Sequence, residues 1–341
     1  MNENKIDVLS LTLDETEAEI LAMGEKKFRA KQIFEWLHKK KVTSFSQMTN
    51  LSAQLIEKLD NKFWINSLIV KKRLVSSIDN TVKYLYGLHD GEKIESVLMS
   101  YKHGNSLCVS TQVGCKMKCR FCASTIAGWV RNLEPSEILL QIYETERDSG
   151  RTVDSIVLMG IGEPLDNYDN VIKFLKILST GDEMSLRRVS VSTCGLVNRI
   201  YDLAELKLGI TLSISLHAPT DEKRSAIMPV NDRFNIEQLI EACKVYFEKT
   251  GRRISFEFAL IQGVNDDRQT AEELIKLLKP LNPCHVNLIP INEIKEGTYK
   301  KSNYVKGFQE MLLNAGINAT VRRTLGADIN AACGQLRRDN I

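Results

Sequence analysis

Two hydrophobic periods alternate along the chain and divide it into three parts. In FRAKQIFEWLHKKKV (28–42), Ile33, Phe34 and Leu37 fall on one helical face, and in LSAQLIEKL (51–59) Leu51, Leu55, Ile56 and Leu59 repeat the spacing. Residues 1–70 are therefore expected to form a helical accessory domain. From residue 68 to 101 the period drops to two. VKYLYGLHDGEKIESVLMSY reads as two strands joined at His89-Asp90-Gly91, so residues 71–104 are expected to form a β-hairpin extension.

From residue 105 to 341, strand-like and helix-like stretches take turns. Candidate strands are SLCVSTQ (106–112), SIVLMGI (155–161), RVSVSTC (188–194), ITLSISL (210–216), RISFEFALI (253–261) and HVNLIPI (285–291), with NATVRRT (318–324) as a last one. Amphipathic segments such as EPSEILLQIYETER and NIEQLIEACKVYFEKT separate them. This alternation predicts an α/β fold, a parallel sheet with helices outside it. Six β/α units suit an open, partial (β/α)6 barrel better than a closed eight-fold one.

Ligands bind such a sheet at the C-terminal ends of its strands. The chemically suggestive residues recur there. A cysteine-rich loop follows the first strand and GIGEP (160–164) the second. Ser192 lies near the end of the third strand, Ser215-Leu216-His217 ends the fourth, and Asn292 follows the sixth.

Composition changes this picture little. With 341 residues, 43% hydrophobic and 26% charged, the chain is ordinary for a globular protein. A formal charge of +3 neither demands nor excludes a polyanionic partner. The first twenty residues match neither a signal nor a transit peptide. No apolar run approaches the ~18 residues of a membrane span. The expected location is cytoplasmic. There, eight cysteines point to metal ligation or redox chemistry rather than to a disulfide framework.

Cys115, Cys119 and Cys122 stand in the spacing C-x3-C-x2-C. Three thiolates can hold three irons of a [4Fe–4S] cluster and leave one iron open, whereas full protein ligation takes four. The alternative is a structural zinc site with Cys108 as fourth ligand. Structural zinc prefers paired C-x2-C knuckles, and Cys108 is placed mid-strand. Cys194, Cys243 and Cys284 match no catalytic pattern and are read as packing residues.

The cysteine spacing after the first strand of a partial barrel resembles the radical S-adenosylmethionine superfamily. FRAKQIFEWLHKK, VGCKMKCRFCAS, MGIGEPLDNYDNV, SISLHAP, MPVND, HVNLIPIN and DINAACGQLR together resemble the bacterial adenine-C2 RNA methyltransferases of the RlmN family. The resemblance implies that Cys115, Cys119 and Cys122 hold the cluster and that its open iron chelates S-adenosylmethionine. On reduction the cofactor is cleaved to a 5′-deoxyadenosyl radical. The implied cofactor contacts are Gly162, Glu163, Ser192, Ser215, Leu216, His217 and Asn292.

In that family a cysteine corresponding to Cys333, in AACGQL, is methylated by one S-adenosylmethionine. A second molecule then supplies the radical that removes a hydrogen from the S-methyl group, so two are used per turnover. The carbon radical adds to carbon 2 of adenine, which is too electron-poor to attack a methylsulfonium. Cys108 is the implied resolving thiol, forming a transient disulfide with Cys333. Glu95, thirteen residues before Cys108, is the implied proton acceptor. A lone strand glutamate is otherwise a solvated carboxylate.

The implied substrates are an adenine of 23S rRNA in the peptidyl-transferase region and the adenine 3′ of the anticodon in tRNA. A low-potential donor of the flavodoxin type and a monomeric state are expected. Lys26, Lys27, Arg29, Lys31, Lys39, Lys40 and Lys41 stand against one acid, Glu35, and read as a phosphate-binding patch. Arg187-Arg188, Arg322-Arg323 and Arg337-Arg338 add basic pairs. The nearest rival is the sister family that methylates carbon 8 of the same rRNA adenine and confers antibiotic resistance. There alanine replaces the proline of GEP, so Pro164 favours carbon 2. A rival of another class is a non-catalytic iron–sulfur or zinc protein that binds RNA.

Overall fold

In the computed structural model, which describes residues 5–291 and 299–331, the helical period of the first seventy residues becomes three helices. A short strand β1 (Ile6–Asp7) precedes α1 (Leu13–Ala22), α2 (Phe28–His38) and α3 (Ala53–Lys62), and β2 (Phe63–Trp64) returns beside β1. Ile33, Phe34, Leu37, Leu55 and Leu59 are buried, as their spacing predicts. Thr12 and Glu15 close a capping box at the start of α1.

The sheet begins with a meander. Its strands β3 (Ile69–Val75), β4 (Val82–Gly87), β5 (Lys93–Tyr101) and β6 (Gly104–Cys108) are successively antiparallel. A two-stranded ribbon follows, β7 (Gln112–Gly114) with β8 (Trp129–Asn132). Strands and helices then alternate: α4 (Pro135–Ser149), β9 (Ser155–Leu158), α5 (Tyr168–Gly181), β10 (Val189–Thr193), α6 (Val197–Glu205), β11 (Thr211–Ser215), α7 (Asp221–Ile227), α8 (Ile236–Thr250), β12 (Ser255–Leu260), α9 (Arg268–Leu278), β13 (His285–Pro290), α10 (Val305–Asn314) and β14 (Asn318–Val321). Among the described residues ten strands form one sheet, ordered β14-β13-β12-β11-β10-β9-β6-β5-β4-β3. From β6 to β14 every neighbour is parallel and sequential, with at least one helix in each of the six crossings. This is the predicted open (β/α)6 arrangement.

Three details differ from the sequence reading. The hairpin has a third strand, β3, beside the two expected, and β5 pairs with β6, so the extension continues the main sheet through β4 to β3. The first barrel strand is broken after Cys108, where Ser110 Oγ turns back to donate to the Glu95 carbonyl at 2.7 Å. Cys108 is thus a strand end, not a mid-strand residue. Helices α7 and α10 escaped the pattern. The first is seven residues long and rich in charge, and the second buries only Phe308 and Leu312.

The accessory helices dock on α4 and α5. Lys41 Nζ lies 2.5 Å from Glu146 and 3.0 Å from Asp182. His38 Nδ1 shares a 3.1 Å hydrogen bond with the Tyr143 hydroxyl. A side chain at Gly181 would press on the His38 Cβ at 2.6 Å, so glycine lets α2 and α5 close together. Burial pushes the His38 pKa down to about 3, helped by the nearby Lys41 charge, so the ring is neutral.

Candidate active site at the open end of the barrel

The strand ends from β9 to β13 and the cysteine loop enclose a cavity of about 280 Å³. Of the residues singled out in the sequence, Cys115, Cys119, Cys122, Gly162, Glu163, Ser192, Ser215 and His217 all line it. They come from the cysteine loop, the loop after β9, the ends of β10 and β11 and the residues just beyond β11, so the register of the parallel sheet is what brings them together. Leu216 does not share that wall. Its side chain is fully buried, its N–H donates to the Glu257 carbonyl, and its own carbonyl accepts from Arg224. Asn292 and Cys333 lie outside the described residues.

Buried polar side chains hold these loops. Gly162 has φ +107° and its missing Cβ would sit 2.6 Å from the side chain of Gln112. Glycine is therefore required here by the fold, rather than only for cofactor approach. The next residue, Glu163, donates its N–H to Gln112 Oε1 at 2.9 Å. Its carboxylate accepts the N–H groups of Leu165 at 3.0 Å and Cys194 at 2.7 Å, which ties the loop after β9 to the turn after β10. Burial raises its pKa, against the lowering effect of those donors.

Two buried residues without a sequence-stated role complete the scaffold. Arg224, fully buried on α7, donates to the carbonyls of Cys194 at 2.6 Å, Leu216 at 3.1 Å and Ser215 at 3.3 Å, and to Asn231 Oδ1 at 2.9 Å. Asn265 holds the carbonyls of His217 and Ala259, each at 2.7 Å. A charged residue inside a short, charge-rich segment gives no sign of burial, so the sequence concealed Arg224.

His217 sits at φ +58° just beyond β11. Its Nδ1 accepts from the Ala259 N–H at 2.9 Å, which assigns the proton to Nε2. Burial, then the Arg224 charge, lowers its pKa to about 3, so it remains neutral. Phe121 meets the ring edge-on at 4.8 Å. The histidine is thus a hydrogen-bonded structural residue that also lines the cavity. Glu257 was not anticipated. It is buried in the same wall, held by Asn287 at 2.8 Å and raised in pKa by burial, with Arg322 opposing the shift.

The three thiols behave as a set. Burial pushes Cys115 up to about 12, with Cys122 adding to the shift. Cys119 is raised by burial and then by Cys122 and Cys115. Each would destabilise the others as thiolates, so the trio becomes a ligand set only around positive charge. Among the described residues no three His, Cys, Asp or Glu side chains converge as on a single metal ion. Cys108 is in a different place from the trio, which counts against a zinc site that uses it.

Cys108 packs with Val97 and Met99 against Leu325 and Ala331. These residues line a second cavity of about 220 Å³, whose wall shares Met159, Ile289 and Arg322 with the first. Glu95 lies two residues from Val97 on β5, hence on the same sheet face. It is 1% exposed and 3.1 Å from Lys83 Nζ, which also donates to the Asn330 carbonyl at 3.0 Å. The expectation of a solvated strand carboxylate fails here, because the 326–331 segment covers that face.

The segment 6–65 matches the ribosomal RNA large subunit methyltransferase N-terminal domain, and 109–290 matches the radical SAM superfamily. A "Probable dual-specificity RNA methyltransferase RlmN" of Lachnoclostridium phytofermentans is 52% identical over 338 residues, covering 98% of this chain and 95% of that protein. A protein of the same description from Alkaliphilus oremlandii is 53% identical and covers 99% of each. The chain belongs to the RlmN family of radical S-adenosylmethionine RNA methyltransferases. A solved radical SAM methyltransferase from Sphaerobacter thermophilus superposes on 97% of this chain and 98% of its own, with a TM-score of 0.91 at 40% identity.

Radical SAM enzymes carry a [4Fe–4S] cluster and use S-adenosylmethionine, and this RlmN-family cavity fits both. The thiol trio matches a cluster with one open iron, and the cavity beside it ends in carboxylate, hydroxyl and imidazole groups suited to a polar cofactor. RNA is the substrate class of the family. The basic stretch 26–41 is only partly available for it. Lys27 faces Glu17 at 2.8 Å, Lys39 faces Glu183 at 2.6 Å, and Lys41 is the docking clamp between domains. Arg187 and Arg188 precede β10 and so sit at the far end of the sheet from the cavity. Arg337 and Arg338 lie outside the described residues. No described helix is long and apolar enough to cross a membrane.

Proposed function

We propose that this RlmN-family enzyme methylates carbon 2 of adenine, in the peptidyl-transferase region of 23S rRNA and 3′ of the anticodon in tRNA. Two S-adenosylmethionine molecules are used per turnover and a flavodoxin-type donor supplies the electron. Cys115, Cys119 and Cys122 hold the cluster, while Gly162, Glu163, Ser192, Ser215, His217 and Asn292 surround the cofactor. Bound there, cluster and cofactor supply radical chemistry able to remove a hydrogen from an S-methyl group. Cys333 carries that methyl group to the base. Glu95 accepts the carbon-2 proton, and the odd electron left on the adduct would be taken up by the cluster when it is bound, which leaves a closed-shell thioether between Cys333 and the base. The Cys108 thiolate attacks the Cys333 sulfur, and the sulfur–carbon bond breaks as the disulfide forms. The released carbon takes up a proton and becomes the methyl group of the product.

One observation carries this reading. Cys108 opens on a cavity walled by Leu325 and Ala331, the latter two residues short of Cys333, and that cavity adjoins the one lined by the cysteine trio. The test is the mass of the Cys333 peptide from protein made in cells fed methyl-labelled methionine. A labelled methyl on Cys333 is expected. An unmodified Cys333 in cluster-loaded protein would remove the carrier role. Digesting methylated RNA to nucleosides locates the methyl group, and 8-methyladenosine would assign the chain to the carbon-8 reaction.

A further inference from the structure

The loop that carries the three cysteines continues past Cys122 and returns to the sheet through β8. From 115 to 133 it holds Lys116, Lys118 and Arg120 and no acidic residue, while its fourth cation, Arg131, is paired with Asp90 and Glu137. Its far side exposes large apolar surface: Ile126 is 47%, Trp129 42% and Val130 45% exposed. An apolar patch framed by cations beside a catalytic cavity marks a contact surface.

Trp129 is fixed in place. It stands opposite Gly114 in the β7–β8 ladder, and Gly114 precedes the first cysteine of the trio. Gly114 has φ +80°, and a Cβ there would lie 1.8 Å from the Gly128 carbonyl oxygen, so only glycine permits this approach. That same oxygen accepts the Cys115 N–H at 3.3 Å. Lys116 Nζ sits 4.7 Å from the centre of the Trp129 ring and 2.9 Å from Asp166 Oδ2. Asp166 is itself held by Gln112 Nε2 at 2.8 Å. The indole is therefore set next to the cluster loop with a cation at its face, while much of its surface stays open.

We infer that Trp129 is a stacking platform for an unpaired RNA base that flanks the reacting adenine, with Lys118 and Arg120 placed along the adjoining phosphates. Every base has a π-face, so an aromatic platform grips RNAs of different sequence, which suits one enzyme acting on more than one RNA. The positive, acid-free loop favours a phosphate backbone over a protein partner. The inference rests on RNA being the substrate.

The test measures binding of cluster-loaded enzyme to a fluorescein-labelled RNA stem–loop with an unpaired loop adenosine. The wild type is compared with W129F and W129L, each checked for iron content and melting temperature. W129L is expected to bind about ten-fold more weakly, the scale of one lost stacked base, while W129F stays close to the wild type. Independently, K118A should lower the salt slope of log K by about one. Equal binding by W129L and W129F would overturn the platform, because a merely apolar contact survives that change. Iron loss in W129L that parallels its weaker binding would also overturn it, assigning Trp129 to loop integrity. A wild type that binds no stem–loop RNA would instead overturn the RNA reading beneath it.

Discussion

The two cavities at the barrel mouth share a wall, yet they are built by different means. The larger is assembled from strand ends and the loops that follow them, and its shape depends on buried polar groups that lock one loop to the next: Glu163 on Cys194, Arg224 on three carbonyls, Asn265 on His217. The smaller is formed by residues of the strands themselves, Val97, Met99 and Cys108, closed over by the chain beyond β14. Loops at strand ends offer unpaired backbone groups and tolerate varied side chains, so they suit cofactor binding. Strand positions offer little freedom but fixed spacing, which would suit the resolving role proposed for Cys108. Only Met159, Ile289 and Arg322 of the described residues belong to both walls.

The comparison breaks most visibly at the cysteines. C119A should lose cluster iron and reduce RNA methylation to background, measured by iron assay and labelled methyl incorporation. C108A should keep its iron, since Cys108 belongs to the other cavity. It should stall with RNA covalently attached to the protein, visible as a shifted band on a denaturing gel. Full turnover in C108A would remove the resolving role. Removal of iron by C108A would erase the distinction between the cavities.

Smaller effects sharpen it. The Lys83–Glu95 pair is 1% exposed on both sides, so K83M removes a cation 3.1 Å from a buried carboxylate. A loss of about 3–5 kcal/mol is expected in urea unfolding, with partial recovery in K83M/E95Q. A loss under about 1 kcal/mol would mean that water reaches this face. The smallest effect lies outside both cavities, at His38. Its pKa is about 3 when folded, below the ordinary value near 6.5, so between these pH values the unfolded chain binds a proton that the folded chain does not. Stability should fall as pH drops below about 6.5, by at most about 1.4 kcal/mol per pH unit for this residue. H38Q should flatten that slope, and His217, also lowered to about 3, should leave a remaining slope of the same sign.

Much of the molecule was legible in the chain. The strand periods located all seven parallel strands within a few residues, and alternation identified the barrel. The C-x3-C-x2-C spacing and GIGEP marked the rim, because local chemistry of that kind depends on neighbours in sequence. Other features left no local trace. Arg224 looks like a surface residue of a short charged segment, and Glu257 like a solvent-facing strand position. Only the packing of α7 and the neighbouring strands buries them. The run of lysines in 26–41 looks like one basic face, but its acidic partners lie elsewhere in the chain, at Glu17, Glu146, Asp182 and Glu183.

The sequence by itself determined the order of the elements, the cysteine motif at the rim and the family, since periodicity and motif spacing are properties of adjacent residues. Only the tertiary structure decided that Cys108 ends its strand in a cavity apart from the trio, that Glu95 is buried against Lys83, and that Trp129 stands beside the cluster loop. Each of these depends on sheet register and on burial by distant segments, and contacts between residues far apart in the chain carry no signature in the local pattern.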